Sequence, residues 1–231
     1  MIINNCAGIG DILFCEPIYR HFADKNEKPT VLIHDHLLWI SEYIDSAFFV
    51  GASKYPLLVD EPKENEKYIP LRYANQVFRN LGPHDHSDLE NMMLDKYRIL
   101  GLPEDLWKTI KLNYNYEKAA RLMKEVGVSP FEEYTLRNEF CQIGKVEIPL
   151  TKNKKVLDMC TVPGFSVIDW YLIFSQADGI HTVSTSTFYL MQALMNRGWL
   201  PPDIYVYPRP NHDGLRGISQ LKPDFNYTPM P

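Results

Sequence analysis

The sequence predicts an α/β protein with two parallel β-sheets that are covered by helices. Short apolar segments typical of buried strands alternate with segments whose apolar residues recur at spacings of three and four. This alternation occurs twice, so we expect two α/β domains, residues 1–115 and 116–231. The chain has 231 residues, of which 45% are hydrophobic, and this is enough to form a core in each domain.

The first domain is predicted to begin with a short strand over 2–6 and an amphipathic helix over 11–22, joined by a turn that contains two glycines. A helix is also predicted over 87–101, because an N-cap serine is followed by an acid three residues later and by a closing glycine. The other expected elements are strands at 29–35, 47–51, 67–74 and 109–114, and a helix at 37–44.

The second domain shows the same alternation and ends in a segment rich in turn-forming residues. We expect 203–208 to be the last strand, and the tail after it to pack back over the domain. The elements expected before it are helices at 116–127, 165–177 and 186–198, and strands at 133–140, 154–160 and 179–183.

Charge and composition exclude several classes of protein. The formal net charge is -5, so there is no excess of basic residues to neutralise a nucleic acid backbone. No run of about 20 apolar residues occurs, so no transmembrane helix is expected, although peripheral contact with a membrane remains open. The four cysteines are scattered and form no CxxC pair, which indicates reduced thiols and a cytoplasmic protein.

The turn after the first predicted strand contains Gly8, Gly10 and Asp11. A dinucleotide-binding turn would need a third glycine where Leu13 stands, although Asp35 lies near the position of the expected acid. Asp11 would also repel a pyrophosphate from the helix N-terminus, so binding of NAD is disfavoured. Two interpretations remain. The glycines permit a tight turn and Asp11 caps the helix, or Asp11 faces a ligand cleft and takes a proton from an attacking hydroxyl.

A second candidate site is the hydroxyl-rich turn Ser184–Thr187, which precedes the helix predicted at 186–198. The N–H groups at a helix N-terminus form an anion site, and no carboxylate competes for them here. The alternative is that Ser184 or Ser186 is simply an N-cap. Four further residues could edge the same cleft: Arg137, Asn138, Arg209 and Arg216.

Two His-Asp-His segments, 34–36 and 84–86, suggest a competing metal site, because His-x-His projects both rings to one face of an extended segment. Their spacing matches no zinc signature, so ordinary polar turns are the alternative. His181 lies in an apolar strand and is interpreted as a hydrogen-bonded core residue.

Two motifs resemble the heptosyltransferase-like glycosyltransferases of the GT-B fold. "GIGDILFCEPIYRHF" (8–22) is similar to the opening turn of that family, in which Gly-Asp starts the first helix and a proline follows six residues later. "ADGIHTVSTSTFYLMQAL" (177–194) is similar to the family's late motif. The chain departs from the family at Ser184, where an Asp is usual, and at Ser186-Thr187, where Gly-Pro is usual. It is also shorter than a typical member.

The resemblance implies two Rossmann-like domains in a compact GT-B arrangement, the first on the acceptor side and the second binding the nucleotide-sugar. It implies that Asp11 is the general base and that the Ser184–Thr187 turn meets the donor pyrophosphate. The predicted reaction is inverting transfer of a hexosyl or heptosyl group to a glycan or other hydroxyl acceptor in glycan biosynthesis. The residues expected to bind the donor are Gly8, Gly10, Asn138, Ser184, Thr185, Ser186, Thr187 and Arg209.

No Asp-x-Asp motif occurs in the chain, which favours metal-independent chemistry in which helix dipoles neutralise the leaving diphosphate. No cofactor is expected, since the nucleotide-sugar donor is a substrate. Two alternatives stay open. One is a non-catalytic module that binds a nucleotide or nucleotide-sugar, and the other is a metal-dependent enzyme that uses the two His-Asp-His segments.

Overall fold

The computed structural model describes residues 1–55, 68–73, 92–141, 144–150, 155–209 and 221–230. Contacts within the chain divide it into two compact units, Met1–Asn113 and Tyr114–Pro231, called the first and the second unit below. Each unit contains a parallel β-sheet with helical connections, which confirms the predicted α/β class.

The first unit contains a four-stranded sheet in the order β3-β2-β1-β4, in which all neighbouring strands are parallel. The central strand β1 is completely buried at Ile3, and the polar residue Asn5 follows directly after the strand. The strands are β1 (Ile2–Asn4), β2 (Thr30–Ile33), β3 (Phe48–Gly51) and β4 (Tyr68–Ile69).

The single helix predicted over 11–22 is wrong. The structure has two helices, α1 (Ile9–Phe14) and α2 (Glu16–Ala23), which meet at Cys15. The break follows from Pro17, because proline has no N–H to donate to the carbonyl four residues earlier and its ring clashes with that carbonyl. The chain therefore restarts at Glu16, with proline in the first turn of α2.

The remaining segments of the first unit differ in part from the sequence prediction. Of the helix predicted over 87–101, Met92–Arg98 forms α3, while its proposed N-cap, Ser87, lies outside the described residues. The segment predicted as a helix at 37–44 is a 3-10 helix, and the segment 109–114 belongs to none of the described strands. The 3-10 helices are Asp35–Glu42, Ala52–Lys54, Leu71–Tyr73 and Glu104–Thr109.

An aromatic cluster fixes α3 against α1. The ring of Phe14 lies 5.2 Å from that of Tyr97 in an edge-to-face arrangement and 5.6 Å from that of Trp107 in a stacked one. The Tyr97 hydroxyl donates a hydrogen bond of 2.5 Å to the carbonyl of Phe14. All three side chains are buried, so the residues next to Tyr97 on α3 have a defined position relative to α1.

The second unit contains a five-stranded parallel sheet in the order β11-β10-β9-β5-β8 and a two-stranded antiparallel pair, β6 and β7. The strands are β5 (Thr135–Asn138), β6 (Phe140–Cys141), β7 (Gly144–Lys145), β8 (Val156–Asp158), β9 (Gly179–Val183), β10 (Asp203–Tyr207) and β11 (Thr228–Pro229). The helices are α4 (Tyr116–Glu125), α5 (Tyr171–Gln176) and α6 (Ser186–Met195), with a 3-10 helix at Val167–Trp170.

The prediction that 203–208 is the last strand is wrong, because β11 pairs in parallel with β10 and extends the sheet. The described part of the tail does pack onto the second unit: Phe225 is buried, and its ring lies 5.1 Å from that of Phe188 on α6. Among the described helices of the chain, none is long and apolar enough to cross a membrane.

Candidate functional site

In parallel α/β sheets, ligands bind at the carboxyl ends of the strands. In the first unit, Gly8, Gly10 and Asp11 follow the carboxyl end of β1. Gly8 is the N-cap of α1 with φ −69° and ψ 166°, and Gly10 lies inside the helix. Neither glycine has a positive φ, so the turn uses no backbone conformation that is open to glycine alone. Their role in donor binding stays a prediction.

Asp11 lies in the first turn of α1, where its carboxylate forms an ion pair. Its Oδ1 is 2.5 Å from Nζ of Lys96, which comes from α3. The side chain of Asp11 is 32% exposed, whereas that of Lys96 is only 5% exposed. Sequence reasoning missed Lys96, since nothing in the spacing of the two residues indicates that they meet.

Two buried polar side chains complete this group, called the Asp11 cluster below. Oδ1 of Asn5 accepts a hydrogen bond of 3.4 Å from Nζ of Lys96, and Nδ2 of Asn5 donates one of 3.3 Å to the backbone carbonyl of Asp11. Nδ2 of Asn5 also lies 2.6 Å from the hydroxyl of Tyr19. Asn5 and Tyr19 are completely buried, so this end of β1 is a polar site in an otherwise apolar interior.

The charge state of the Asp11 cluster follows from burial and from the ion pair. Burial alone would lower the pKa of Lys96, but the Asp11 carboxylate beside the ammonium opposes that effect, and the net pKa lies above the ordinary lysine value. Burial raises the pKa of the Cys15 thiol to about 12. At neutral pH the cluster therefore contains a protonated lysine and a neutral thiol, and Lys96 is the cation that faces the Asp11 carboxylate.

The carboxylate of Asp35, the residue considered as a ribose-binding acid, is bound to another segment of the protein. It accepts hydrogen bonds from the backbone N–H of Ser53, at 3.2 Å, and from the Ser53 hydroxyl. These bonds lower the pKa of Asp35. They connect the segment after β2 to the segment after β3, and a Cβ atom on Gly51 would overlap Oδ1 of Asp35.

In the second unit, the predicted turn connects β9 to α6, and its side chains join a buried network of polar groups. Nδ2 of Asn138, at the end of β5, lies 3.1 Å from Oγ1 of Thr182 and 3.4 Å from Oγ1 of Thr185. Oγ1 of Thr187 is 2.9 Å from that of Thr182 and 3.0 Å from that of Thr185. The structure thus brings Asn138, Thr185 and Thr187 together as predicted residues and adds Thr182, which sequence reasoning missed.

The hydroxyls of the turn have different environments. Thr185 is the N-cap of α6 and accepts a hydrogen bond from the backbone N–H of Thr187, so the suggestion that Ser184 or Ser186 is the cap is wrong. Ser184 and Thr187 are buried, whereas Thr185 and Ser186 are half-buried. Within the turn, Thr185 and Ser186 are therefore the residues whose side chains can reach a ligand.

Arg209 lies beside this turn. Its Nε donates a hydrogen bond to the carbonyl of Ser184, while the backbone N–H of Ser184 donates one of 3.0 Å to the carbonyl of Tyr207 at the end of β10. Within the described ranges, the two terminal nitrogens of Arg209 have no hydrogen-bond or ion-pair partner. A half-buried guanidinium thus lies next to the N-terminus of α6. Arg216 lies outside the described residues.

Arg137 does not have an open guanidinium. Its Nε and Nη2 contact the two carboxylate oxygens of Asp158 at 2.6 and 3.1 Å, and Nη1 donates to the carbonyl of Ile148 at 3.1 Å. Arg137, one of the residues expected to edge the cleft, therefore has its donors bound by the protein itself. His181 is half-buried, stacks on Tyr205 at 4.4 Å and contacts the Tyr207 hydroxyl at 3.1 Å, as expected for a hydrogen-bonded histidine of the sheet.

The residues that the structure describes contain no group of three or more His, Cys, Asp or Glu side chains that could hold a metal ion. His34 and His36 stack on each other with their ring centroids 5.6 Å apart. The second His-Asp-His segment, 84–86, lies outside the described residues. The metal-site alternative therefore has no geometric support from the part of the chain that is described.

No protein-family model matches the chain, and no curated protein is similar to it in sequence. Among solved structures, the chain is similar to a glycosyl transferase family 9 protein from Veillonella parvula DSM 2008. The TM-score is 0.47 at 9% sequence identity, and the similarity covers 91% of this chain and 81% of the other. Because this likeness is distant, the function proposed below depends on the side chains described above.

Proposed function

We propose that the protein is a glycosyltransferase that moves a sugar from a nucleotide-diphosphate sugar to a hydroxyl acceptor, without a metal ion and with inversion of the anomeric centre. The observation that supports this most strongly is the arrangement at the N-terminus of α6. The half-buried residues Thr185 and Ser186 lie there, and the guanidinium of Arg209 is fixed beside Ser184. Such an arrangement is suited to a diphosphate.

Electrostatics favours an anion at this turn. The first N–H groups of a helix carry partial positive charge, and α6 has ten residues, which is long enough for an appreciable dipole. Among the described contacts of the turn, none involves a carboxylate. Arg209 can add two parallel N–H donors to phosphate oxygens. The second unit would therefore bind the donor, with Asn138 and Thr187 supporting the turn from beneath.

Asp11 of the first unit is the group proposed to activate the acceptor. In a single displacement, the acceptor hydroxyl transfers its proton to the carboxylate while its oxygen forms a bond to the anomeric carbon. The bond from that carbon to the diphosphate breaks, and the electron pair leaves with the diphosphate, whose charge Arg209 and the α6 N-terminus would stabilise. Attack opposite to the leaving group inverts the anomeric centre.

The second candidate is a non-catalytic module that binds a nucleotide or nucleotide-sugar. The observation that favours it is the ion pair of Asp11 with Lys96, because one of the two carboxylate oxygens is then already bound by a protein group. This alternative shares the α6 site with the first proposal and differs only in the absence of chemistry at Asp11.

Binding at the α6 site is tested first. Thermal unfolding is followed in the presence of UDP-, GDP- and ADP-linked hexoses. A ligand at a hundredfold excess over its dissociation constant raises the free energy of unfolding by about 2.7 kcal/mol. Arg209→Gln should abolish the shift, whereas Arg121→Gln, which changes an exposed arginine on α4, should not. An unchanged shift in Arg209→Gln would contradict the proposed phosphate site.

Transfer is tested with the donors that bind. Release of the free nucleoside diphosphate is measured with free hexoses added as hydroxyl acceptors. The proteins compared are the wild type, Asp11→Asn and Asp45→Asn, the last being a control at an exposed aspartate of the same unit. We expect Asp11→Asn to lower the rate by about 100-fold or more, as is usual for loss of a general base. Binding without turnover in the wild type would instead support the non-catalytic module.

A further inference from the structure

Lys96 is a buried charged residue whose ammonium contacts the more exposed member of the Asp11 cluster, the carboxylate of Asp11. It is 85 residues from Asp11 along the chain, yet its Nζ lies 2.5 Å from Oδ1 of Asp11. Its second contact is Oδ1 of Asn5. Lysine is almost never fully buried unless it is paired, so the position of Lys96 requires an explanation.

Contacts on two sides constrain the position of the Lys96 ammonium. The adjacent residue, Tyr97, is completely buried and bonds to the carbonyl of Phe14, which holds α3 against α1 at this point. Asn5 follows the central strand of the sheet and contacts both Lys96 and the backbone of Asp11. Lys96 is therefore held from two sides, and it can impose an orientation on the less buried carboxylate.

Stability alone gives no good reason for this pair. Removing a charge from water costs several kcal/mol, and replacing a buried ion pair by apolar residues of similar volume is often neutral or stabilising. Buried ionised groups at the carboxyl end of a strand are more typical of functional sites. Within the described residues, only Oδ1 of Asp11 has a side-chain partner, so Oδ2 is left for a ligand.

We propose that Lys96 is a positioning residue for Asp11: its ammonium holds Oδ1 and thereby directs Oδ2 toward the acceptor hydroxyl. This inference rests on the proposed function, in which the proton of the acceptor moves to Asp11 as its oxygen attacks the anomeric carbon. Lys96 itself neither gives nor takes a proton in this step. It fixes the direction in which the carboxylate accepts one.

The experiment is a double-mutant cycle that measures kcat and KM for release of the nucleoside diphosphate from UDP-, GDP- or ADP-linked hexoses, with free hexoses as the hydroxyl acceptors. The variants are Asp11→Asn, Lys96→Met and the double variant. Lys96→Met keeps the length and apolar volume of the side chain and removes its charge. Arg98→Met is the matched control. It also removes a cation from α3, but the Arg98 guanidinium pairs with Asp95 and Glu104 and not with Asp11.

We expect Lys96→Met to lower kcat by about 10- to 100-fold with an unchanged KM for the donor, since misplacement of a catalytic group by about 1 Å costs roughly 100-fold. In the Asp11→Asn background, Lys96→Met should have no further effect, because Lys96 acts only through Asp11. Lys96→Arg, which keeps the charge, should recover part of the rate. Arg98→Met should behave like the wild type, and thermal unfolding of every variant shows whether it is folded.

The outcomes separate this inference from the proposed function. If Asp11→Asn is as fast as the wild type, or if the wild type releases no diphosphate, both are overturned. If Asp11→Asn is slow but Lys96→Met keeps the wild-type kcat, the proposed base stands and the role of Lys96 is wrong. The role of Lys96 is also wrong if the fold reductions in kcat of the two single variants multiply in the double variant. It is wrong as well if Lys96→Met does not fold while Lys96→Arg folds and is as slow as Asp11→Asn.

Discussion

Gln192 on α6 and Asp224 in the C-terminal tail form two reciprocal hydrogen bonds, each 2.9 Å long. Nε2 of Gln192 donates to Oδ2 of Asp224, and the backbone N–H of Asp224 donates to Oε1 of Gln192. Gln192 is completely buried. These bonds fix the tail onto the helix whose N-terminus is the proposed phosphate site, next to the buried Phe225.

Gln192→Met should therefore destabilise the second unit. The substitution keeps the length of the side chain and removes both hydrogen bonds to Asp224, which costs about 1 to 3 kcal/mol. Gln176→Met is the matched control, because Gln176 is exposed at the end of α5, and surface changes are usually within about 0.5 kcal/mol. Urea unfolding gives the two free energies, and equal values would contradict the importance of the tail contact.

Thr187→Val tests the polar network beneath the proposed phosphate site. Valine has the shape of threonine but lacks the hydroxyl that contacts Oγ1 of Thr182 and of Thr185. We expect a loss of about 1 to 3 kcal/mol in the free energy of unfolding and weaker binding of nucleotide-diphosphate hexoses. Thr228→Val, at an exposed position in β11, is the control. Unchanged stability and binding in Thr187→Val would show that the network is dispensable.

Gly51→Ala should destabilise the first unit, because a Cβ at this position would overlap Oδ1 of Asp35 and displace it from Ser53. The strand glycine Gly179 is the matched control, since a Cβ there meets Thr135 at an ordinary contact distance of 3.7 Å. The melting temperature should fall for Gly51→Ala and not for Gly179→Ala. In an Asp35→Ala background the effect of Gly51→Ala should disappear, and its persistence there would assign the strain to another group.

Glu16 should make stability depend on pH. Burial raises its pKa above the ordinary glutamate value, although hydrogen bonds from Lys111 and Arg20 oppose the shift. The folded state therefore binds this proton more tightly than the unfolded chain, and the contribution of Glu16 is lost as the pH rises through the folded pKa. Glu16→Gln should gain in stability relative to the wild type as the pH rises from about 4, the ordinary glutamate pKa, through the raised pKa of the folded state. Unfolding curves of both proteins across this range test the sign, and a constant difference would contradict it.

Local sequence patterns predicted much of the architecture. The alternation of apolar segments indicated the α/β class, and β9, α6 and β10 lie close to their expected positions at 179–183, 186–198 and 203–208. These elements could be predicted because the apolar period of a strand or helix depends on neighbouring residues only. The sequence also indicated Asp11, Arg209 and the Ser184–Thr187 turn as candidate site residues, because ligands bind near the turns that follow parallel strands.

Tertiary structure decided which of these side chains have partners. The pair of Asp11 with Lys96 joins residues that are 85 positions apart, and no local period encodes such a contact. Likewise, β11 consists of only two residues and becomes a strand because β10 offers its free edge. The bonding of Arg137 to Asp158 was equally undetermined by residue type, as was the bond of Arg209 to the Ser184 carbonyl, which leaves its terminal nitrogens without a partner among the described residues. Secondary structure follows from short-range sterics and hydrophobic periodicity, whereas the state of a charged side chain depends on what the fold places within a few ångströms of it.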